Sequence, residues 1–485
     1  MLGMESQASP SAELSPRTRS LLEAPIVPLL LRMAWPNVLV MLGQAATGII
    51  ETWWVAKLGT DALAGMALVF PGFMMMQMIS TGALGGAISS AVARAIGAGR
   101  RDDANALVVH ALVINLALAA AFSVVVLAYG PQIYAALGGR AGSLAAALQY
   151  SNVVFAGIVL LWTMNGLASV VRGTGNMLVP ALVIFGGVVV LIPLSPILIF
   201  GLGPIPALGI AGGGFAVLAI NAAGAAFLAW YVASGRNLAR FRRTRLQWTF
   251  FRDILSVGAV ATISTVQTNV VVLSTTAMVG AFQGPDAVAG YGTGARLEYL
   301  LIPLVFGLGA PLVALVGTNV GAGNRSRALR IAFTGGAIAF VMTEAIGLAS
   351  ALHPRAWLGL FGHDPAMLAT GSAYLAAVGP FYGFFGLGLA LYFASQGAGK
   401  LAWPLLAGFL RMLIAVGGGY LVLRLTGSVA WLFGAVAAGM LVYGIMVTAA
   451  VGLGAWFRGP QRYGGALKNS RSASYVSSGA SSGMK

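Results

Sequence analysis

The amino-acid sequence predicts an all-α integral membrane protein, with twelve transmembrane helices in two parallel six-helix repeats around a central cavity. Three observations predict it. The 485-residue chain is 58% hydrophobic and only 8% charged, with a mean hydropathy of +0.88, whereas soluble domains carry about 25% charged residues. Its Lys and Arg residues cluster in every second connection between apolar runs. Short glycine-containing segments recur at a fixed offset.

Spanning a hydrocarbon core about 30 Å thick takes about 20 predominantly apolar residues. Charge and Gly/Pro punctuation divide the chain into twelve such runs. The first six are 27–56, 62–92, 105–129, 145–170, 177–201 and 206–233. The second six are 254–280, 287–317, 328–351, 366–395, 401–423 and 428–456. The domain reading follows: an N-terminal tail over 1–24, an N-lobe over 25–234, a basic linker over 235–253, a C-lobe over 254–457 and a disordered tail over 458–485. Of the 28 Lys and Arg residues, 22 fall on the side of the N-terminus and four (Lys57, Arg140, Arg355, Arg424) on the other, while Arg296 and Arg411 lie inside spans. Positive charge is retained in the cytoplasm, so both termini and the linker RNLARFRRTRLQWTFFRD at 236–253 are expected there. The tails read as solvated, and residues 1–24 lack the order of a signal peptide.

The repeat is the more informative signal. IGAGRRDDA at 96–104 matches VGAGNRSRA at 320–328, and RGTGNMLVP at 172–180 matches QGAGKLAWP at 396–404, both at an offset of 224 residues. DALAG at 61–65 matches DAVAG at 286–290 at 225. Six spans per half is an even number, so both halves enter the membrane in the same sense. Parallel repeats place a pseudo-two-fold axis along the membrane normal, with a cavity between the halves that can open on either side in turn.

Composition also excludes functions. Without cysteine, disulfides, thiol catalysis and thiolate metal sites are ruled out. Three histidines (His110, His353, His363) make a poor basis for a metal centre. The net charge of +16 follows membrane topology, not a nucleic-acid face. The glycine-rich turns lack the Lys-Ser/Thr pair of a phosphate loop, which leaves ion gradients as the energy source.

In this layout four stretches resemble the MATE (multidrug and toxic compound extrusion) family: TGIIETWWVAKLGTDALAG at 47–65, ARAIGAGRRDDA at 93–104, VVRGTGNMLVP at 170–180 and ARLEYLLIPLVFGLGAPLVALVGTNVGAGN at 295–324. The likeness covers roughly 27–456. It implies an antiporter, not an enzyme, in a bacterial inner membrane. Inward flow of a proton, with sodium as the alternative, drives export of small organic compounds, cationic or amphipathic. The expected partners are the lipid bilayer and the transported small molecule, with no nucleic acid, cofactor or metal, and the unit is a monomer. Two further readings are a lipid-linked oligosaccharide flippase of related design and a membrane-embedded enzyme on lipid substrates. A flippase would carry several cavity cations, and an enzyme would need a polar cluster that the spans lack.

Carboxylates inside a bilayer are costly, about 3 kcal/mol or more each, and call for a function or a partner. Glu51, in GIIETWW, occupies a position where the resemblance implies a cation-binding aspartate, and a lone carboxyl can alternate between protonated and ionised forms. The alternative is a structural glutamate pairing with Lys57. The resemblance also implies an Asn and an Asp on the fifth span; here Leu191 and Ser195 stand in LIPLSPILIFG. That loss leaves few oxygen ligands for sodium and favours the proton. Glu298 is the second candidate for coupling or substrate contact, with a salt bridge across helices as the alternative. Arg296 and Glu298, two residues apart, project from opposite sides of a helix and need separate partners. Arg411 reads as the partner of a buried acid, and Glu344 has no assigned partner. The cavity candidates are Met75 and Gln77 in PGFMMMQM at 71–78, Gln267 and Asn269 on the seventh span, and Arg296. Flexible, polarizable methionines suit a promiscuous wall as well as ordinary packing. Trp53 and Trp54 read as interface anchors.

Overall fold

The computed structural model describes residues 15–458. Its helices are α1 (Ile26–Ala56), α2 (Thr60–Gly97), α3 (Arg101–Ala136), α4 (Ala141–Ala156 and Ile158–Gly173, bent by 48°), α5 (Leu178–Phe200), α6 (Ile210–Ala233), α7 (Trp248–Gln283), α8 (Pro285–Gly321), α9 (Arg325–Leu352), α10 (Pro365–Ala398), α11 (Ala402–Thr426) and α12 (Val429–Gly452). With no water to satisfy backbone groups in hydrocarbon, the helix is the spanning form open to such runs. Ten of the twelve are continuous helices long and apolar enough to cross a bilayer, bent α4 makes an eleventh, and α1 is 31 residues long. Leu273, Val341, Leu182 and Val124 are among the large apolar side chains exposed on the flanks. Water would not tolerate such a belt, whereas lipid does.

Within the first half α1 packs on α5, α2 on α4, and α6 on α4 and α5; within the second α10 packs on α8, α9 and α12, and α11 on α12. The halves meet through α1 against α8 and through the second part of α2 against α7, α8 and α10. The first part of α2, Thr60–Met78, makes its main contacts inside its own half. The halves are therefore joined at the end bearing the termini and parted at the other.

The repeat takes physical form at that joint. A Cβ at Gly97 would collide with the Thr318 carbonyl oxygen, and a Cβ at Gly321 with that of Arg94. Positions 97 and 321, like 94 and 318, differ by 224, so each half makes the same contact with its counterpart. Gly99 and Gly323, just beyond, both take positive φ (74° and 77°), the left-handed turn that glycine adopts at least cost. Around this crossing Arg94 donates from Nη2 to both carboxylate oxygens of Asp253 at 3.0 Å, and from Nη1 to the Gly397 carbonyl at 3.2 Å.

Two expectations need correction. Residues 15–24 of the N-terminal tail are not a solvated extension. Pro16–Glu23 forms a helix whose first turn is capped by Ser15, with Oγ accepting from the Thr18 N–H at 3.2 Å. Leu21 is buried, and its carbonyl accepts from Asn319 Nδ2 at 3.2 Å, while Arg327 donates to the Ala24 carbonyl. Residues 1–14 and 459–485, including most of the expected C-terminal tail, lie outside the described residues. The basic linker is also shorter than expected, because α7 starts at Trp248. Aromatic residues explain the earlier start: Phe250 and Phe251 pack on His110 with ring centroids 5.1 and 4.7 Å away. His110 is buried and satisfied, donating from Nδ1 to the Ala106 carbonyl at 2.7 Å and accepting at Nε2 from the Gln247 N–H at 2.9 Å. Glu344 accepts at 2.7 Å from the Gly383 N–H, one of the donors freed where α10 restarts after the tight turn Gly379–Phe381.

Candidate functional site

A cavity of about 400 Å³ lies between the halves, within the range of small-molecule sites. Met74, Gln77, Met78 and Thr81 of α2 face it at helical spacing, together with Ser264, Thr265, Gln267 and Thr268 of α7. Aromatic rings supply much of the remaining wall, among them Tyr299 and Phe306 of α8, Phe385, Tyr392 and Phe393 of α10 and Tyr443 of α12. Arg411 of α11 contributes the one charged side chain among the lining residues. At this level α2 passes through a π-helical turn, Ile79–Leu84. Such turns spoil the regular backbone ladder, and Gln396 of α10 donates across the interface to the Ala83 carbonyl at 3.2 Å. A second π-helical turn, Leu413–Gly418, follows Arg411 in α11.

Of the expected cavity residues, Gln77 and Gln267 line it. Met75 does not: it is 51% exposed, and its neighbours Met74 and Met78 take its place. A residue between them in sequence points about 100° away on a helix. Asn269 faces outward and bonds back to the Thr265 carbonyl at 2.9 Å, because a spacing of two from Gln267 crosses to the other side of α7. Arg296 is also off the cavity, exposed and stacked over Phe361 with 5.5 Å from Cζ to the ring centroid.

The two candidate carboxylates sit in different lobes and different settings. Glu51 is 6% exposed inside the N-lobe and is not among the cavity-lining residues. Among the described residues its Oε1 has no hydrogen-bond partner, nor have the buried Trp54 Nε1 and Ser195 Oγ. Helices α1 and α5 run side by side: a Cβ at Gly43 would lie 3.4 Å from Phe185, and the Trp54 and Phe200 ring centroids are 6.0 Å apart. Counting along both helices places Glu51 level with buried Ser195, with buried Leu191 one turn below it. Tyr150 of α4 is within electrostatic reach of Glu51. Lys57 lies over the Trp53 ring at 3.7 Å to its centroid, and no ion pair joins it to Glu51 among the described residues.

Glu298, 5% exposed, is fully partnered. Its Oε1 accepts from Arg411 Nη2 at 3.0 Å, and its Oε2 accepts from the Tyr374 hydroxyl at 3.0 Å. Tyr291 packs edge-on against Tyr374, and Phe433 against both. Sequence reading missed Tyr374 altogether, since nothing local marks a hydroxyl 76 residues away as the second donor. It also missed Arg411 as a cavity residue, although a lone guanidinium in an apolar run was a visible signal.

Comparison with known proteins places this arrangement. Relatives include a protein of Shewanella oneidensis named "FAD transporter", 27% identical over 380 residues, covering 77% of this chain and 82% of the relative. Another is the "Probable multidrug resistance protein NorM" of Geobacillus kaustophilus, 27% identical over 366 residues, covering 73% and 78%. Among solved structures, the outward-facing conformation of a multidrug resistance MATE family transporter of the MOP superfamily superposes with a TM-score of 0.81 at 22% identity, over 92% of this chain and all of that one. A MOP superfamily transporter from Pyrococcus furiosus gives 0.82 at the same identity and coverage. The model of the MatE family matches residues 36–197 and 261–421, one block in each half. The chain therefore belongs to the MATE family of membrane transporters.

Proposed function

We propose that the protein is a proton-driven antiporter that exports small amphipathic aromatic compounds across a bacterial inner membrane. It works as a monomer with both termini in the cytoplasm, where positive charge is retained. In that orientation the joined end faces the cytoplasm and the cavity opens outward. The observation that carries the reading is Glu51: a buried carboxyl with an unpartnered oxygen and no paired cation among the described residues, inside the N-lobe and off the cavity wall. A lone carboxyl needs no coordination shell to take up and release one proton as the lobe's surroundings change. Sodium is the weaker candidate for the driving ion. It prefers several oxygen ligands, whereas Leu191 offers none and Ser195 a single hydroxyl.

The wall of methionines, rings and neutral hydroxyls supports an amphipathic aromatic cargo. A dedicated exporter of a flavin-like compound is the second reading, favoured by the relative named for FAD transport. A flippase fits less well, because the lining offers one cation in place of several. The test is transport of norfloxacin and of a flavin in inside-out vesicles, under an imposed proton or sodium gradient. The expected result is transport with the proton gradient alone, abolished in Glu51→Gln. Sodium-driven transport, or a Glu51→Gln protein as active as wild type, contradicts it.

A further inference from the structure

The exported class can be narrowed by asking which charge the cavity accepts; this rests on the export reading above. The Glu298–Arg411 pair is neutral as a whole but oriented. Glu298 is turned away from the cavity, with both oxygens occupied by Arg411 and Tyr374, and it is not among the lining residues. Arg411 is among them, and it is only 4% exposed. One guanidinium nitrogen is spent on Glu298, while Nε is buried with no hydrogen-bond partner. The Arg411 Cζ lies 4.6 Å from the centroid of Phe385, so the guanidinium sits against an aromatic wall. The positive end of a dry ion pair thus faces the cargo, and its negative end is hidden.

Against that full charge the neutral groups of the wall set only weak, opposing dipoles. Ser264, Thr265 and Thr268 donate their hydroxyl hydrogens to carbonyls four residues back in α7, at 3.0 to 3.2 Å, so they present lone pairs. An organic cation would find ring faces and these lone pairs, but no carboxylate, and would face the guanidinium. A planar aromatic with a carboxylate, phosphate or ionised phenol would find rings for its plane and the one charged side chain of the lining, the Arg411 guanidinium, for its charge. Arginine suits that role because its fork can serve two acceptors at once. The geometry points to Arg411 as the substrate-selecting residue, and to anionic planar aromatic compounds as the preferred cargo.

Two xanthene dyes of similar shape and opposite charge make the test: fluorescein, anionic near neutrality, and rhodamine 6G, cationic. Fluorescence polarisation with the full chain in nanodiscs of zwitterionic lipid gives each affinity. Charge-assisted hydrogen bonds contribute about 1.5–3 kcal/mol, equivalent to a preference of about tenfold or more. Wild type should bind fluorescein at least tenfold tighter than rhodamine 6G. Arg411→Lys should retain part of that preference. Because Arg411→Gln alone strands Glu298, the decisive variant is Arg411→Gln with Glu298→Gln, which keeps the pair neutral; it should lose the preference. Tighter binding of rhodamine 6G, binding of neither dye, or a preference intact in the double variant overturns the assignment. If fluorescein binds as expected but no gradient moves it, the site stands and the export reading fails.

Discussion

Two buried glutamates, one in each half of a pseudo-symmetric molecule, meet the same desolvation cost in opposite ways. Glu298 carries its own compensation: a guanidinium and a tyrosine hydroxyl, each at 3.0 Å, in a belt of packed rings. Glu51 has an Oε1 with no hydrogen-bond partner among the described residues, and the Ser195 hydroxyl and the Trp54 indole N–H of the same lobe are likewise unpartnered. Two donors hold the Glu298 carboxylate in one geometry. No ion pair ties down the Glu51 carboxyl among the described residues, which is why we propose Glu51, and not Glu298, as the group that exchanges protons. The repeat sharpens the contrast, because neither acid has an acidic counterpart: the position 224 residues after Glu51 is Thr275, and the one 224 before Glu298 is Met74. The backbone kept its symmetry where the halves meet, at Gly97 and Gly321, and the side-chain chemistry diverged.

The largest effect is expected at the paired site. Removing one partner of a buried ion pair costs about 3–5 kcal/mol, so Glu298→Gln should markedly lower the unfolding temperature of the purified protein, even while Tyr374 keeps a hydrogen bond to the amide. Adding Arg411→Gln to that variant should recover much of the loss, since an uncharged pair leaves no stranded ion. If the double variant is as unstable as the single one, ring packing and not charge holds that site together. At the unpaired site the effect on stability should be small. Glu51→Gln removes no hydrogen bond from Oε1, and its unfolding temperature should match or exceed wild type. Smaller still is Ser195→Ala, which deletes a buried hydroxyl that has no partner and should shift stability by less than about 1 kcal/mol.

Much of this was legible in the sequence, for identifiable reasons. Twelve helices and their order follow from the alternation of apolar runs with charge. The half-to-half correspondence follows from glycines that backbone contact and left-handed turns demand. The deviations share a cause, namely that spacing gives relative faces but not which face is inside. Gln77 with Met74 and Met78 forms one stripe, and Gln267 and Asn269 lie on opposite sides; only tertiary packing decides which side meets the cavity. The tail helix Pro16–Glu23 escaped notice because its sequence is mostly polar, with Leu21 its one buried apolar residue, and because the Asn319 and Arg327 donors that hold it lie 298 and 303 residues away. Tyr374 could not have been found from local pattern at all.

We propose that Glu51 couples transport to the proton and that Glu298 does not. The most direct test separates driven accumulation from exchange. Proteoliposomes containing Glu51→Gln would be assayed for proton-driven accumulation of a transported fluorophore, and for its equilibrium exchange with no gradient. Accumulation should be lost while exchange persists near the wild-type rate, because the cavity and the alternating motion remain. Accumulation that survives the substitution would contradict it and move the coupling group elsewhere.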